Sequence, residues 1–458
     1  MTEMTVQPFR LGDTAFARLG AGRPDGDTLG ALRRAEHSRS LLLLREVRRQ
    51  VSDTPAWYAA QLATAPEEAA RWVTDPMTAL WAAHCLRSGP CDPGPRGPHV
   101  LTVTRNGLPL TVRLEDTDPI RSRLGLTPAP PLAADQARRW HELLDRAWEL
   151  LAGRHRPAAE VLAAVLRVIV PVLPDPVAEG ISATSAEAFG AVALSAPATP
   201  DALAAGLLHE TQHSILNATH LLFPLVEPDG PPGYSPWRDD PRPAFGVLHG
   251  AYAYLAVTRF RRSAPGAAAA FEFARWRGAV AEAAEALLTG GELTPAGTRF
   301  VTALRDEVTP WLDEPVDPAI QRLADLANAD HRARWRLRNL AVDDADTARL
   351  VAAWDAGSEP PEITPVLVPG GGRALENSPR LPLIRAVLHG SKPGDGADAA
   401  TVRGDDRAAL PAYEKGRDWG GLALVSPHPA LRRRPEVVRA AATALPQAPL
   451  NALAAWLS

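Results

Sequence analysis

The segment Leu207-Leu208-His209-Glu210-Thr211-Gln212-His213 limits what this chain can fold into more than any other. It sets two histidines and a glutamate inside an Ala/Leu-rich run, where a charge flanked by imidazoles has no cheap structural use. The approach to it carries helix-start chemistry. Thr199 can cap, Pro200 suits the first helical position because no N–H bond is needed there, and Asp201 favours the positive helix end. Pro224 marks a stop, so a helix is expected over residues 200–222. At 3.6 residues per turn, His209 and His213 stand one above the other on a single face. Two imidazoles so placed grip one divalent cation, with Glu210 beside them, turned toward a metal-bound water. The competing reading is a helix with two hydrogen-bonded histidines and a surface glutamate.

The rest of the composition frames that motif. The 458 residues are 46% hydrophobic and 22% charged, a globular balance, and a net charge of −4 argues against a dedicated nucleic-acid binder. Cys85 and Cys91 make no disulfide framework and match no common zinc spacing, so they read as ordinary thiols near a loop. Met1 to Thr5 has no secretory character and no apolar run spans a bilayer, so a cytoplasmic protein without membrane attachment is expected.

Along the chain, helices are expected over Arg33–Val51, Trp57–Thr64 running on to Trp72, and Met77–Leu86. After a Pro/Gly loop from Gly89 to Pro98, Asn106-Gly107 between two β-rich runs predicts a hairpin over 99–115, with Pro109 placing the second strand at an edge or bulge. Helices follow over Asp135–Leu151 and Pro157–Pro171. Phe189–Ser195 then reads as a short strand feeding the metal helix, either a purely structural strand or a place where an extended peptide could pair by its backbone. Residues 231–243 hold five prolines and read as a rigid extended loop that delivers two arginines and two aspartates. Helices are expected over Phe245–Arg262, Ala267–Leu288, Pro295–Glu307 and Pro318–Leu340. The Arg-rich run His331–Arg338 reads as a solvated helix face. Past Asp343 the pattern is less regular, with a Gly loop at 370–372, a Pro/Gly/Asp-rich stretch from Lys392 to Asp406, and final helices at Arg434–Ala444 and Asn451–Leu457. The expected fold is mainly α with minor β and no double-stranded β-helix. It is expected in three regions: 1–125, helical with a hairpin; 126–342, carrying the metal motif; and 343–458, helical.

The motif leaves three metal chemistries to compare. A metzincin needs Gly and His where this chain has Leu216 and Thr219, so that form is excluded. His220 shares the face of His209 but lies three turns along, too far for one coordination sphere, and reads as structural. A gluzincin-like zinc site would take a third ligand from Glu272, Glu282 or Glu285. The remaining option takes His249 from the next helix, between Gly246 and Gly250, giving three histidines with open positions for a bidentate cosubstrate and O2.

Four blocks carry a resemblance: Thr184–Ser195, Leu208–Asn217, Tyr234–Pro243 and Leu248–Tyr252. Together they resemble the His-Glu-x-x-His proteins of bacterial ribosomal-peptide modification clusters, which are similar to C-terminal domains fused to certain radical-SAM enzymes. The likeness covers about residues 180–260, is weaker in the N-terminal part and is slight after about residue 340. No radical-SAM Cys-x3-Cys-x2-Cys is present, so this would be a stand-alone form. The resemblance implies an Fe(II)- and 2-oxoglutarate-dependent β-hydroxylase acting on a precursor peptide. It also implies a guanidinium for the distal carboxylate of 2-oxoglutarate, with Arg238 and Arg242 nearest in sequence and Arg259 next. Pairing with Asp239 and Asp240 inside the same segment is the alternative use of Arg238 and Arg242. Glu210 is either an accessory group beside the metal or a peptidase base. A zinc metallopeptidase and a non-catalytic peptide-binding partner remain the other functional readings.

Overall fold

Helix accounts for 63% of the chain and strand for 10%, in small sheets with no closed barrel, which is the mainly α fold with minor β expected. The structure, a computed structural model, describes residues 9–50, 66–89, 91, 96–175, 180–368 and 376–458. The expected helix at 57–64 and the Gly loop at 370–372 lie outside the described residues. Packing groups the chain into two units. The first is Met1–Glu227, Tyr252–Phe260 and Leu293–Glu307; the second is Pro228–Ala251, Arg261–Glu292 and Val308–Ser458. The boundaries expected near 125 and 342 therefore fall inside the first and second unit respectively. Among the described residues no helix is long and apolar enough to cross a membrane.

The first unit is built on a five-stranded sheet of β1 (His99–Arg105), β2 (Leu108–Leu114), β3 (Val168–Pro171), β4 (Ser182–Ala183) and β5 (Ala191–Leu194), in the order β1-β2-β3-β5-β4. Asn106 (φ 48°) and Gly107 (φ 71°) make the two-residue turn between β1 and β2 that their left-handed backbone allows. Pro109 pairs with Thr104 of β1. Strand β3 reaches β2 only at Arg113 and Leu114, so the missing N–H of Pro109 interrupts no ladder on that side.

One expectation needs correction here. The helix read over Pro157–Pro171 ends at Val165, as Arg156–Val165, and Val168–Pro171 is the central parallel strand. Three β-branched residues and a proline, all buried, look like the tail of an apolar helix in sequence, and only their neighbours decide the matter. The period-2 alternation of β3 and β5 divides their side chains between two cores. Ile169, Val192 and Leu194 pack with Trp140, Trp148 and Leu151 of the helix Ala134–Arg154 and with Leu203, Leu207 and Leu208. Val168, Val170, Ala191 and Ala193 pack with Leu44, Met77, Leu80 and Trp81 of the helices Gly26–Gln50 and Pro76–Ser88. Cys85 and Cys91 are free thiols with sulfurs 3.6 Å apart.

In the second unit the proline-rich segment is not a loop. Gly233–Ser235 and Arg238–Arg242 form an antiparallel ribbon with Pro236 and Trp237 at its tip. Both strands of a ribbon are edges, so Pro241 is tolerated. The Arg-rich run is likewise not a solvated face. On the helix Pro318–Asn339, His331 is buried and shares a hydrogen bond with Tyr234 Oη at 3.0 Å. Arg334 donates to Asp330 at 3.0 Å, and Arg336 to Glu436 at 3.0 Å. Buried Arg380 reaches Asp330 at 2.7 Å, Asp398 at 2.8 Å and Asp418 at 3.1 Å. The C-terminal part is more regular than its composition suggests. Asp343, Asp405 and Asp418 each cap a helix, and Ala397–Arg403 is helical inside the Pro/Gly/Asp-rich stretch.

Gly190 sets where β5 begins. Its φ is +86°, its carbonyl accepts from Arg167 N at 2.9 Å and Val168 N at 3.1 Å, and a Cβ there would meet Val165 O at 2.4 Å. Gly190→Ala is expected to destabilise the protein by about 2–3 kcal/mol through strain and overlap together, read from the urea midpoint. A loss under about 0.5 kcal/mol would show that this turn does not hold the sheet.

Candidate metal centre

The metal helix runs Pro200–Leu222, the expected bounds, with Thr199 Oγ1 accepting from Ala202 N at 3.1 Å. Strand β5 leads into it through Ser195 and the short turn to Thr199. Leu203, Leu207 and Leu208 anchor its first half in the core beside the sheet, and this fixes the rotation of the polar residues that follow.

His209 Nε2 and His213 Nε2 lie 2.9 Å apart, with the rings nearly perpendicular at 87°. Two nitrogens on a shared cation at about 2.1 Å are separated by roughly 3.0–3.4 Å, depending on the angle at the metal. The pair is therefore set for chelation with almost no movement. The same spacing lets one ring donate its N–H to the other. The edge-on ring of Tyr254, 5.2 Å from that of His209, fixes the imidazole plane. Burial pushes the His209 imidazole down to about 4, which keeps it neutral and in the ligand form.

Glu210 is 2% exposed, which rules out the surface glutamate of the competing reading. Its Oε1 accepts from Ser182 Oγ at 2.6 Å and stands 4.0 Å from His209 Nε2. The ligand-type atoms of His209, Glu210 and His213 all fall within 4.8 Å of one another, a group that could hold a metal ion. The same turns carry further buried polar atoms, off the face of the histidine pair. Thr211 Oγ1, Gln212 Oε1 and Ser214 Oγ, on the same turns, are buried with no hydrogen-bond partner among the described residues. Polar atoms are rarely left this way unless water or a ligand meets them.

Ser182 is the site residue that sequence reasoning missed. It sits on a two-residue strand 28 positions before Glu210, and no local pattern announces it. The role expected for 189–195 shifts with it. Strand β5 is paired on both sides, by β3 and β4, so no peptide can add to it. The two outer edges of this sheet are β1 and β4, and it is β4, the edge beside the metal motif, that carries Ser182.

The other candidates are placed as follows. His220 Nδ1 accepts from Leu225 N at 3.0 Å, a structural bond that closes the helix end as expected. Glu272 pairs with Arg261 and Glu282 with Arg332. His249 lies on the helix Ala244–Arg262, in the part belonging to the second unit, with its ring 5.8 Å from that of Phe245. Arg238 donates to Asp240 at 2.8 and 3.0 Å and Arg242 to the other oxygen of Asp240 at 3.3 Å, the alternative use of these arginines. Arg242 also lines a cavity of about 220 Å³ with Tyr234, Glu282, Glu292 and Arg332. Arg259 is committed elsewhere, to the carbonyls of Ala21 at 2.6 Å and Gly22 at 3.0 Å and to Glu307 at 3.3 Å. No family model and no curated protein matches the chain.

Burial of His209 gives the metal-free protein a defined pH response. The unfolded chain takes up a proton near pH 6.5, whereas the folded imidazole resists protonation until about 4. Its contribution to stability is fully present above about pH 6.5 and is lost as pH falls toward 4. His331, also pushed down to about 4 by burial, acts with the same sign. The urea midpoint of metal-free protein is expected to fall across this window, and His209→Gln to flatten part of the slope. An unchanged slope in that variant would remove His209 from the account.

Proposed function

We propose that this protein is an Fe(II)- and 2-oxoglutarate-dependent enzyme that hydroxylates a side chain of a ribosomally made precursor peptide. The observation that carries the reading is the 2.9 Å pair of His209 and His213 nitrogens beside buried Glu210. The four sequence blocks described above name the reaction class.

In this reading His209 and His213 hold the metal, and His249 is the third ligand. When bound, iron with 2-oxoglutarate and O2 supplies the oxidising power to replace an unactivated C–H by C–OH. The chain's own residues arrange the rest. Tyr254 holds the His209 ring so that Nε2 faces His213. Ser182 donates to Glu210 and fixes that carboxylate next to the histidines, where it orients polar groups of the bound reactants. An extended peptide lies along the outer edge of β4, pairing by its backbone beside the strand residue that steers Glu210. Arg242 is the better placed of the two ribbon arginines for a carboxylate. Its side chain is 37% exposed against 12% for Arg238, and its bond to Asp240 is the longer.

A second reading rests on one distance. Glu210 Oε1 is 4.0 Å from His209 Nε2, close to where a peptidase base stands, and with zinc the same motif would hydrolyse an amide.

Metal analysis and turnover separate these readings. Protein supplied with iron is expected to bind about one iron per chain and convert 2-oxoglutarate to succinate. His209→Ala and His213→Ala should each bring iron to background, and His249→Ala should weaken it at least tenfold. Stoichiometric iron in His213→Ala sinks the proposal. Zinc with peptide cleavage would establish the peptidase instead, and no bound metal a non-catalytic peptide binder. Arg242→Ala should raise the KM for 2-oxoglutarate about tenfold or more with iron content intact. A wild-type KM in that variant removes Arg242 from the site.

A further inference from the structure

A second polar cavity lies in the first unit, apart from every residue of the metal motif. It holds about 240 Å³ and is walled by the helix Gly26–Gln50, the start of the helix Pro76–Ser88, the residues before β3, and Phe189. Three basic side chains, Arg33, His37 and Arg167, line it together with the apolar surfaces of Pro76, Val165 and Phe189.

Among the described residues neither arginine there pairs with an acid. Arg33 has no carboxylate partner among the described residues. Arg167 donates to the carbonyls of Ala163 at 2.9 Å, Ala164 at 2.9 Å and Leu166 at 2.6 Å, closing the end of the helix Arg156–Val165 without meeting an acid. The two acids that border the cavity are spent on other cations. Asp75 is held by Arg113 and by Met77 N, and Glu36 by Arg39 at 3.2 Å. His37 and Arg167 both lose affinity for their protons, first through burial and then through the charge of Arg33. A structural role in closing a helix accounts for Arg167. It does not account for Arg33 lining the same space with no carboxylate of its own. Like charges gathered around a half-enclosed cavity are costly, and an oxyanion bound there relieves the cost.

We propose that this cavity is a binding site for a small organic anion, a carboxylate on a short apolar body, held by Arg33 and Arg167. The size of the space and its walls favour an organic ligand over an inorganic ion. One water needs about 10–15 Å³ of such space, far less than is present, and Pro76, Val165 and Phe189 in the lining offer carbon to carbon. Arg167, fixed by three carbonyls, is the rigid donor. Arg33, exposed at the mouth, is the one that closes on the carboxylate.

Calorimetric titration of the full-length protein tests this with benzoate, its neutral isostere benzamide, and inorganic phosphate. Benzoate is expected to bind once per chain, with benzamide and phosphate each at least tenfold weaker. Arg33→Gln, an exposed substitution that leaves the fold intact, should weaken benzoate at least tenfold, and His213→Ala should leave it unchanged. Benzamide binding as tightly as benzoate, or wild-type affinity in Arg33→Gln, overturns the proposal. So does phosphate matching benzoate, which would make this an inorganic-ion site. Absence of benzoate binding up to millimolar concentration overturns it too. Loss of benzoate binding in His213→Ala would move the ligand to the metal centre and overturn it equally, whereas failure of the iron assay alone leaves this site standing.

Discussion

Five consecutive polar residues, Glu210 to Ser214, are buried in the middle of an otherwise apolar helix, and the first unit is arranged to make that tolerable. Each such group costs on the order of 1–3 kcal/mol if left without a partner, more where it carries charge. The offset comes from both sides along the helix. Leu203, Leu207 and Leu208 are buried before the polar stretch, and Ile215 and Leu216 after it. The sheet contributes twice. Strand β5 leads the chain into the capped helix start, and β4, hydrogen-bonded to β5, carries the serine that meets Glu210. A shift of one residue in the pairing of β4 with β5 would turn Ser182 to the opposite face and leave that carboxylate without its hydroxyl.

Polar burial takes two forms in this protein, and they differ in how completely it is satisfied. Asp330 in the second unit has both oxygens engaged, Oδ1 by Arg380 and Oδ2 by Ser378 and Arg334. Thr211, Gln212 and Ser214 on the metal helix have no such closure. A closed network specifies a unique packing, and an open one leaves capacity for something else to bind. The ribbon arginines belong to the closed kind, since Asp240 already divides its two oxygens between Arg238 and Arg242. Any dicarboxylate that used either of them would compete with a carboxylate already in place.

What could be read from the sequence follows the range of the interactions involved. The helix Pro200–Leu222 was legible, ends included, because its limits are local: a threonine cap, a proline at the first position and a proline past the end. The Asn106-Gly107 turn was legible for the same reason. Strand β3 was not, because a buried four-residue apolar run has no period of its own. The ribbon at 233–242 was hidden by its prolines, which argue against a strand everywhere except on an edge. The Arg-rich run was misread because the partners that bury it are distant in sequence. Glu436 is 100 residues from Arg336, and Arg380 is 50 residues from Asp330. Ser182 escaped notice since nothing in Gly180-Ile181-Ser182-Ala183 hints at the carboxylate 28 residues ahead.

The Asp330–Arg380 pair also bears on how this protein can change over generations. Both side chains are almost wholly buried, at 1% and 2% exposure. Loss of either partner leaves the other charge in the interior with weaker compensation, Asp330 with Arg334 and Arg380 with Asp398 and Asp418, at a cost that stays below the roughly 3–5 kcal/mol of a fully unpaired buried ion. Replacement of both by well-packed apolar residues carries no such penalty. Descent through single substitutions therefore passes through a weakened intermediate, and this couples the two positions to each other. Ser378, bonded to the same aspartate, is free to drift at far lower cost. Among homologues, the identities at 330 and 380 should vary jointly, while 378 varies on its own.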